Sequence, residues 1–463
     1  MRSIVDTQAR PSATAGAAPV LAAVMTLTAA FIVGAAPGAA QSPDTATLTL
    51  RQALAEAHKA NAQLPAARLA LQGAVARRRQ ARGLLYPVLS LDGDVHGGAP
   101  TKFASGDALL AVFARAPLYE GGELRAGVAR SDAEAQSLEA GYRMAVRNVD
   151  YAVRVGYGRI LRADSTLSFR RRALARLQAY LSVVQARQAS GQGVGADVLR
   201  TRQRVAAARA DLAAVTRDLD EVRMELNDLL GRDPDAPLRL APLPEPGEGR
   251  GEGGAEGVSG ARLPAQAGRA MRVDTTGQPW QATPDVAQAA AQIRAAQADV
   301  RAARAGRKPH VALEIDAGTE PVLGSFDAPL NNGRGPLGTE AVLSFTLPFW
   351  DHGIHRGRMA EANAALDQAR QQETVVQRAA RLAWSRAAVD VANLSGELQA
   401  RNDAAGVARD AYLQAESLYR GGQGSALDVL DAYDAWISAG QDRLDVIYAW
   451  RVGQAELQRW GNP

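Results

Sequence analysis

The sequence predicts a mainly α-helical chain with a small transmembrane β part, built by using one structural plan twice. Three observations lead there: motif pairs that recur at a constant spacing, two proline-free stretches with coiled-coil periodicity, and short segments in which apolar and polar residues alternate.

The duplication is the firmest of the three. Pro117-Leu118-Tyr119-Glu120-Gly121-Gly122 aligns with Pro348-Phe349-Trp350-Asp351-His352-Gly353 at an offset of 231 residues. Gly191-Gln192-Gly193-Val194-Gly195-Ala196-Asp197-Val198-Leu199 aligns with Gly422-Gln423-Gly424-Ser425-Ala426-Leu427-Asp428-Val429-Leu430 at the same offset. Tyr86-Pro87 and Lys308-Pro309 match nine residues out of step, which places a longer loop between Gly318 and Gly338 in the second half.

Each half reads as helix, strand, loop, strand, very long helix, glycine turn and helix. From Leu48 to Leu84 the pattern is helical, and Pro87 closes it. Between Gly122 and Gln188 there is no proline; Leu167, Leu174 and Leu181 recur every seven residues, and Leu177 and Val184 interleave with them at three- and four-residue steps. At 1.5 Å per residue such a stretch makes a rod of roughly 100 Å. The stretch from Gly353 to Tyr419 has the same length.

Leu89, Leu91 and Val95 alternate with Ser90, Asp92, Asp94 and His96, and Val311, Leu313 and Ile315 alternate with Ala312, Glu314 and Asp316. Leu343, Phe345 and Leu347 alternate with Val342, Ser344 and Thr346, whereas Leu109 to Leu118 is apolar on both faces. Strands of about ten residues have the length of tilted membrane-barrel strands. Tyr86, Tyr119, Phe349 and Trp350 at the strand ends suit an interfacial girdle. Ordinary hairpins on a soluble body, with the aromatics as core, are the alternative. Four strands cannot close a barrel, which needs about eight, so several chains must contribute.

At the N-terminus, Arg2 and Arg10 precede an apolar run from Val20 and a small-residue stretch ending at Ala40, the pattern of a signal peptide over residues 1–40. A retained anchor is the alternative. The repeats then occupy residues 41–232 and 285–463. Residues 233–284 between them, rich in Gly, Pro and Glu, read as a flexible connector. With no cysteine, disulfides, thiolate metal sites and Cys-attached lipid are excluded. A formal net charge of +4, from 53 Lys+Arg against 49 Asp+Glu, is too even for nucleic-acid binding as the main activity.

Over nearly the whole mature chain the sequence resembles the TolC-type outer-membrane efflux proteins. The residues that carry the resemblance are Leu48-Thr49-Leu50-Arg51-Gln52-Ala53-Leu54, the Tyr86-Pro87 junction, Pro117 to Gly122, and Leu427-Asp428-Val429-Leu430-Asp431-Ala432. The resemblance implies a homotrimer with a twelve-stranded barrel in outer-membrane lipid above a long coiled-coil helical barrel crossing the periplasm. It also implies a periplasmic adaptor and an inner-membrane pump as partners, passive export as the function, no enzymatic activity and no cofactor. A periplasmic coiled-coil adaptor or scaffold is the competing reading.

Asp428 and Asp431, three residues apart, share a helix face just past the second glycine turn. The resemblance implies that they line the periplasmic aperture, where threefold symmetry gathers six carboxylates and favours cations. Charges that complement the helix dipole fit the same place. Asp197 and Tyr419 are implied to form a gate-constraining hydrogen bond, with a cap and a packed aromatic as the alternative. Gly424 stands where well-known relatives carry a closing arginine. Gly191, Gly193, Gly195, Gly421, Gly422 and Gly424 supply two tight turns, implied to meet the adaptor. A phosphate-binding loop does not fit them, since no strand precedes and no lysine follows. His352 and His355 beside Asp351 have the spacing of metal ligands, but histidines at a helix start are more often solvated or hydrogen-bonded, and no metal is expected.

Overall fold

The computed structural model describes residues 47–97, 106–243, 278–318 and 338–461. The expected signal peptide, the tips of both strand loops and residues 244–277 of the connector lie outside them.

In chain order the elements are α1 (Leu50–Ala60), α2 (Gln63–Gly83), β1 (Val88–Gly97), β2 (Gly106–Glu120), α3 (Glu123–Ala189) and α4 (Gly195–Leu229). A short 3-10 turn (Pro279–Ala282) leads into α5 (Pro284–Ala305), β3 (His310–Gly318), β4 (Gly338–Thr346), α6 (Ile354–Arg420) and α7 (Ala426–Trp460). The duplication extends to length: α3 and α6 have 67 residues each, and α4 and α7 have 35 each.

The single helix expected from Leu48 to Leu84 is two helices. Thr49 caps α1 through a reciprocal box with Gln52. Asn61 then takes an extended backbone (φ −64°, ψ 124°) and breaks the run. Its side chain accepts a hydrogen bond from Gln63 N (3.0 Å) and donates to Leu229 O (3.1 Å), so the break ties the first helices to the end of α4. A buried amide with both ends paired outweighs the modest cost of interrupting a helix.

The helices pack as α3 along α4, α5, α2 and α7, and α6 along α7 and α5. Leu167, Leu174, Leu177 and Val184 are buried as the coiled-coil spacing requires, and Leu181 is half-buried. One cluster sits at the level of α1, where Tyr157, Ile160, Leu226 and Leu230 are fully enclosed. A second, near the helix turns, is aromatic. Tyr412 stacks on Trp436 at 5.3 Å, Phe169 meets the same indole edge-on at 5.4 Å, and Tyr180 meets Tyr419 at 5.3 Å. Geometry of this kind adds about 0.5 to 1.5 kcal/mol per pair beyond the area buried.

Both ends of the expected connector are packed. Leu48 and Leu240 form a parallel bridge, Leu238 is buried, and the Tyr157 hydroxyl lies 2.9 Å from Leu48 O and 2.6 Å from Ala241 O. At the far end Trp280 lies against Trp384 at 5.4 Å, with Arg381 over its face, and Thr283 is buried. Residues 233–243 and 278–284 therefore belong to the packed body.

The strands make one antiparallel sheet in the order β1-β2-β3-β4. All four meet the helices at the same edge, because β1 and β3 follow α2 and α5 while β2 and β4 feed α3 and α6. At both strand-to-long-helix junctions the chain passes through the left-handed region: Gly121 (φ 60°) and Gly122 (φ 97°) in the first half, His352 (φ 50°) and Gly353 (φ 93°) in the second. His352 tolerates this because Asp351 anchors the turn, accepting from His355 N (2.7 Å) and Gly353 N (3.1 Å). Those two backbone bonds, to His355 first and Gly353 second, hold the Asp351 carboxyl below the usual carboxylate range. With both oxygens so used, Asp351 acts as a cap. Among the described residues no group of three or more His, Cys, Asp or Glu is gathered as a metal site would need.

Candidate functional site

Two regions carry chemistry, the sheet at one end and the pair of helix turns at the other.

Strand register sorts the sheet into two faces. Leu91 pairs with Val112, Leu89 with Ala114, Ala114 with Ile315, Leu313 with Leu343 and Val311 with Phe345, so that face is apolar across all four strands. The opposite face carries Ser90, Asp92, Arg115, Glu314, Asp316, Glu340 and Ser344, with an Arg115–Glu314 ion pair of 2.9 Å across β2 and β3. β2 looked apolar on both sides in sequence. Register resolves it, with Val112, Ala114 and Ala116 on the apolar face, Ala111, Phe113 and Arg115 on the polar one, and an irregularity between Pro117 and Tyr119. The apolar face is open in the single chain: Leu343 and Phe345 are each 65% exposed. Tyr86, Tyr119, Phe349 and Trp350 are likewise exposed, all at the edge where strands meet helices.

At the far end, α3 turns into α4 and α6 into α7 with the same backbone. Gly191 (φ 76°) and Gly422 (φ 79°) occupy equivalent left-handed positions. Gln192 N donates to Arg187 O and Gln423 N to Leu418 O, each 2.9 Å, reaching back over the last turn of the long helix. Two residues on, a Cβ at Gly193 would sit 2.9 Å from Gln188 N, and one at Gly424 would sit 3.1 Å from Tyr419 N. A side chain at Gly424, where the resemblance leads one to expect arginine, would require the turn to shift by a few tenths of an ångström. Gly195 opens α4 and Gly421 caps α6, neither at a positive φ.

Asp428 and Asp431 are brought onto one exposed face, because Val429, Leu430, Tyr433 and Trp436 take the buried side of α7. Their local roles differ. Ser425 Oγ accepts from Asp428 N (3.1 Å) and Asp428 Oδ2 accepts from Ser425 N (3.2 Å), so Asp428 completes a capping box. Asp431, one turn further, takes no part in the cap. In the first half Val194 stands in place of Ser425 and α4 has no side-chain cap.

No hydrogen bond joins Asp197 to Tyr419. Asp197 lies beside Arg200 (3.9 Å), while Tyr419 packs on Tyr180. Burial, then the nearby Asp197 charge, raises the Tyr419 phenol above its ordinary range. The contact that the sequence did not disclose is Arg187. From the last turn of α3 its Nη1 donates to Tyr419 O, and its guanidinium carbon lies 4.8 Å from the Tyr419 ring centre. Further up the rods Arg170–Asp211 (2.8 Å), Arg162–Asp445 (2.6 Å), Arg401–Asp442 (2.9 Å) and a close Arg204–Asp434 pair link neighbouring helices. As half-exposed pairs these contribute at most about 1 kcal/mol each.

A sheet with one apolar and one polar face, joined to two long helical hairpins, is the arrangement on which comparison with known proteins turns. The family model described as "Outer membrane efflux protein" matches residues 53–232 and 278–461. The chain belongs to that family. The unmatched interval falls in the connector. Among solved structures this outer membrane efflux protein is similar to CusC, with 21% identity, a TM-score of 0.75, and 89% of this chain and 92% of that one covered. It is also similar to the outer membrane protein VceC of Vibrio cholerae, with 19% identity, a TM-score of 0.73, and coverage of 89% and 96%. These likenesses establish the fold. Among curated proteins, the nodulation protein T of Rhizobium leguminosarum bv. viciae is 28% identical over 167 residues, which span 34% of this chain and only 33% of that protein. Family membership places the chain in the outer membrane and leaves the adaptor or scaffold alternative unfavoured. Among the described residues no helix is long and apolar enough to cross a membrane.

Proposed function

We propose that the chain is the channel subunit of an efflux or secretion system, a passive exit duct working with a periplasmic adaptor and an inner-membrane pump and catalysing no reaction. The observation that carries this reading is the four-stranded sheet, apolar on one face and charged on the other, with β1 and β4 left as open edges. In lipid an unpaired strand edge costs several kcal/mol per unsatisfied backbone group, so β4 of one chain must pair with β1 of the next. Two chains reach eight strands and three reach twelve. The family resemblance favours three. The apolar face then meets lipid and the charged face lines the lumen.

In the same arrangement the exposed Asp428 and Asp431 point into the neck at the inner end and set its preference for cations. The glycine turns and the exposed Val194, Leu199 and Leu427 beside them form the surface offered to the adaptor. The test is ion selectivity in planar bilayers. Asp431→Ala should weaken cation preference with no loss of stability. Asp428→Ala should weaken it and also cost about 0.5 to 1 kcal/mol, since Ser425 N loses its carboxylate acceptor while Ser425 Oγ still caps the helix through the backbone N of residue 428. Unchanged selectivity in the double variant would place the constriction elsewhere.

A further inference from the structure

We propose that Arg187 is a positioning residue of the duct: from the last turn of α3 it grips the C-terminal end of α6 and so fixes the two helical hairpins of one chain against each other at the tip. The inference rests on the reading of this tip as the inner end of the duct, and it concerns how that end is held.

Two contacts meet at the guanidinium, one to a carbonyl and one to a ring, both of Tyr419. Nη1 donates to Tyr419 O, the same carbonyl that accepts from Gly422 N (3.0 Å) as the α6–α7 turn begins, so Arg187 holds the turn as well as the helix. The group lies over the Tyr419 ring, at 4.8 Å from its centre. That ring in turn packs against Tyr180, two turns earlier than Arg187 on the same face of α3. Nη2 comes within 3.6 Å of where a Cβ would stand on Gly422, so the glycine that permits the turn also leaves room for the arginine. Nε is enclosed without a partner, a sign that the charge is partly withdrawn from water, where its bond to the carbonyl is strengthened. A cation at this place also faces the negative end of the α6 dipole.

Among the described residues of the two turns, no other side chain donates a hydrogen bond to the backbone of the opposite hairpin. The two turns are built alike, yet Leu418 occupies the position in α6 equivalent to Arg187 in α3, so the grip is made once per chain and runs from the first repeat to the second. Gly424 offers no side chain, and Asp197 makes no hydrogen bond to Tyr419. At this level Arg187 adds a polar tie to the apolar packing of Tyr180, Val184, Val198, Tyr419, Val429 and Leu430.

The test compares R187Q, R187K, Y419F and D197N in the full-length protein. In planar bilayers R187Q should raise the occupancy of high-conductance states on the order of tenfold, the factor expected from losing one hydrogen bond to a charged donor. R187K, which keeps the charge without the planar fork, should recover part of the closure. Y419F keeps the ring and the carbonyl and should behave as the unmodified protein, as should D197N. Because the chain has no cysteine, spin labels at Q192C and Q423C report the separation of the two tip turns directly. The distance distribution should broaden in R187Q and stay narrow in Y419F, whether or not the preparation conducts. R187Q with unaltered label distances, or Y419F and D197N opening as far as R187Q, would overturn the assignment. Absence of conductance in the unmodified protein would count against the duct reading alone, and the label distances would still judge Arg187.

Discussion

Leu343→Arg is the sharpest probe of the sheet. Leu343 pairs with Leu313, the fourth of nine residue pairs along the β3–β4 ladder, so it sits near the middle of the strand. It lies on the apolar face and is 65% exposed in the isolated chain, which makes the loss of packing within the chain small. The penalty then comes almost wholly from placing a guanidinium against lipid, about 2 to 4 kcal/mol at mid-membrane. At about 1.4 kcal/mol per tenfold, that is roughly a 30- to 1000-fold shift away from the inserted state per chain. Ser344→Arg, one residue on, points to the polar face and serves as the control. The assay is the yield of heat-modifiable oligomer in outer-membrane fractions. Equal yields for the two variants, or a greater loss for Ser344→Arg, would mean that the faces have been assigned wrongly or that the sheet does not meet lipid.

Two further outcomes are expected. Tyr157→Phe should cost about 0.5 to 1.5 kcal/mol, because the half-buried Ala241 carbonyl loses its hydroxyl donor; denaturant titration reads the loss, and limited proteolysis should show earlier cleavage near residue 241. Deleting residues 245–260 should leave oligomer yield and export intact, since the segment has few apolar side chains with which to pack; failure to fold on that deletion would show the segment to be docked.

Much of this architecture is local, and so was legible. Heptad spacing from Leu167 to Val184 reports its own buried face, and the constant 231-residue offset pairs the junctions and turns of the two halves without knowledge of any contact. Alternation located three strands. The fourth, β2, needed its register, which depends on partners in β1 and β3 and is not written in residues 109–118. Asn61 is similar: its reason for breaking a helix is the carbonyl of Leu229, distant in sequence. The docked start of the connector hangs on Leu238 and one parallel bridge to Leu48, too few apolar residues for a pattern. At the tip, the Ser425 and Asp428 spacing was itself a capping signal that could have been read beside the aperture motif. Arg187 offered none, because its counterpart in the repeat is Leu418 and its acceptor is a backbone oxygen. The glycine-for-arginine departure at Gly424 was visible, but the close approach of Tyr419 N to that position was not.

The equal lengths of the paired rods, 67 with 67 and 35 with 35 residues, make each chain its own measuring stick. Removing one residue from α6 alone would draw its tip back by about 1.5 Å and swing it through about 100°. Tyr419 would then leave Arg187, and Trp436 would face a different neighbour. The seam is restored only by excising about seven residues, two helical turns, from α3, α4, α6 and α7 together. Adapting such a chain to a narrower or wider gap between two membranes is thus quantised, each step being a concerted change in four places. A hairpin borrowed from a relative of another length would reach a different depth from its companion and leave the end ragged.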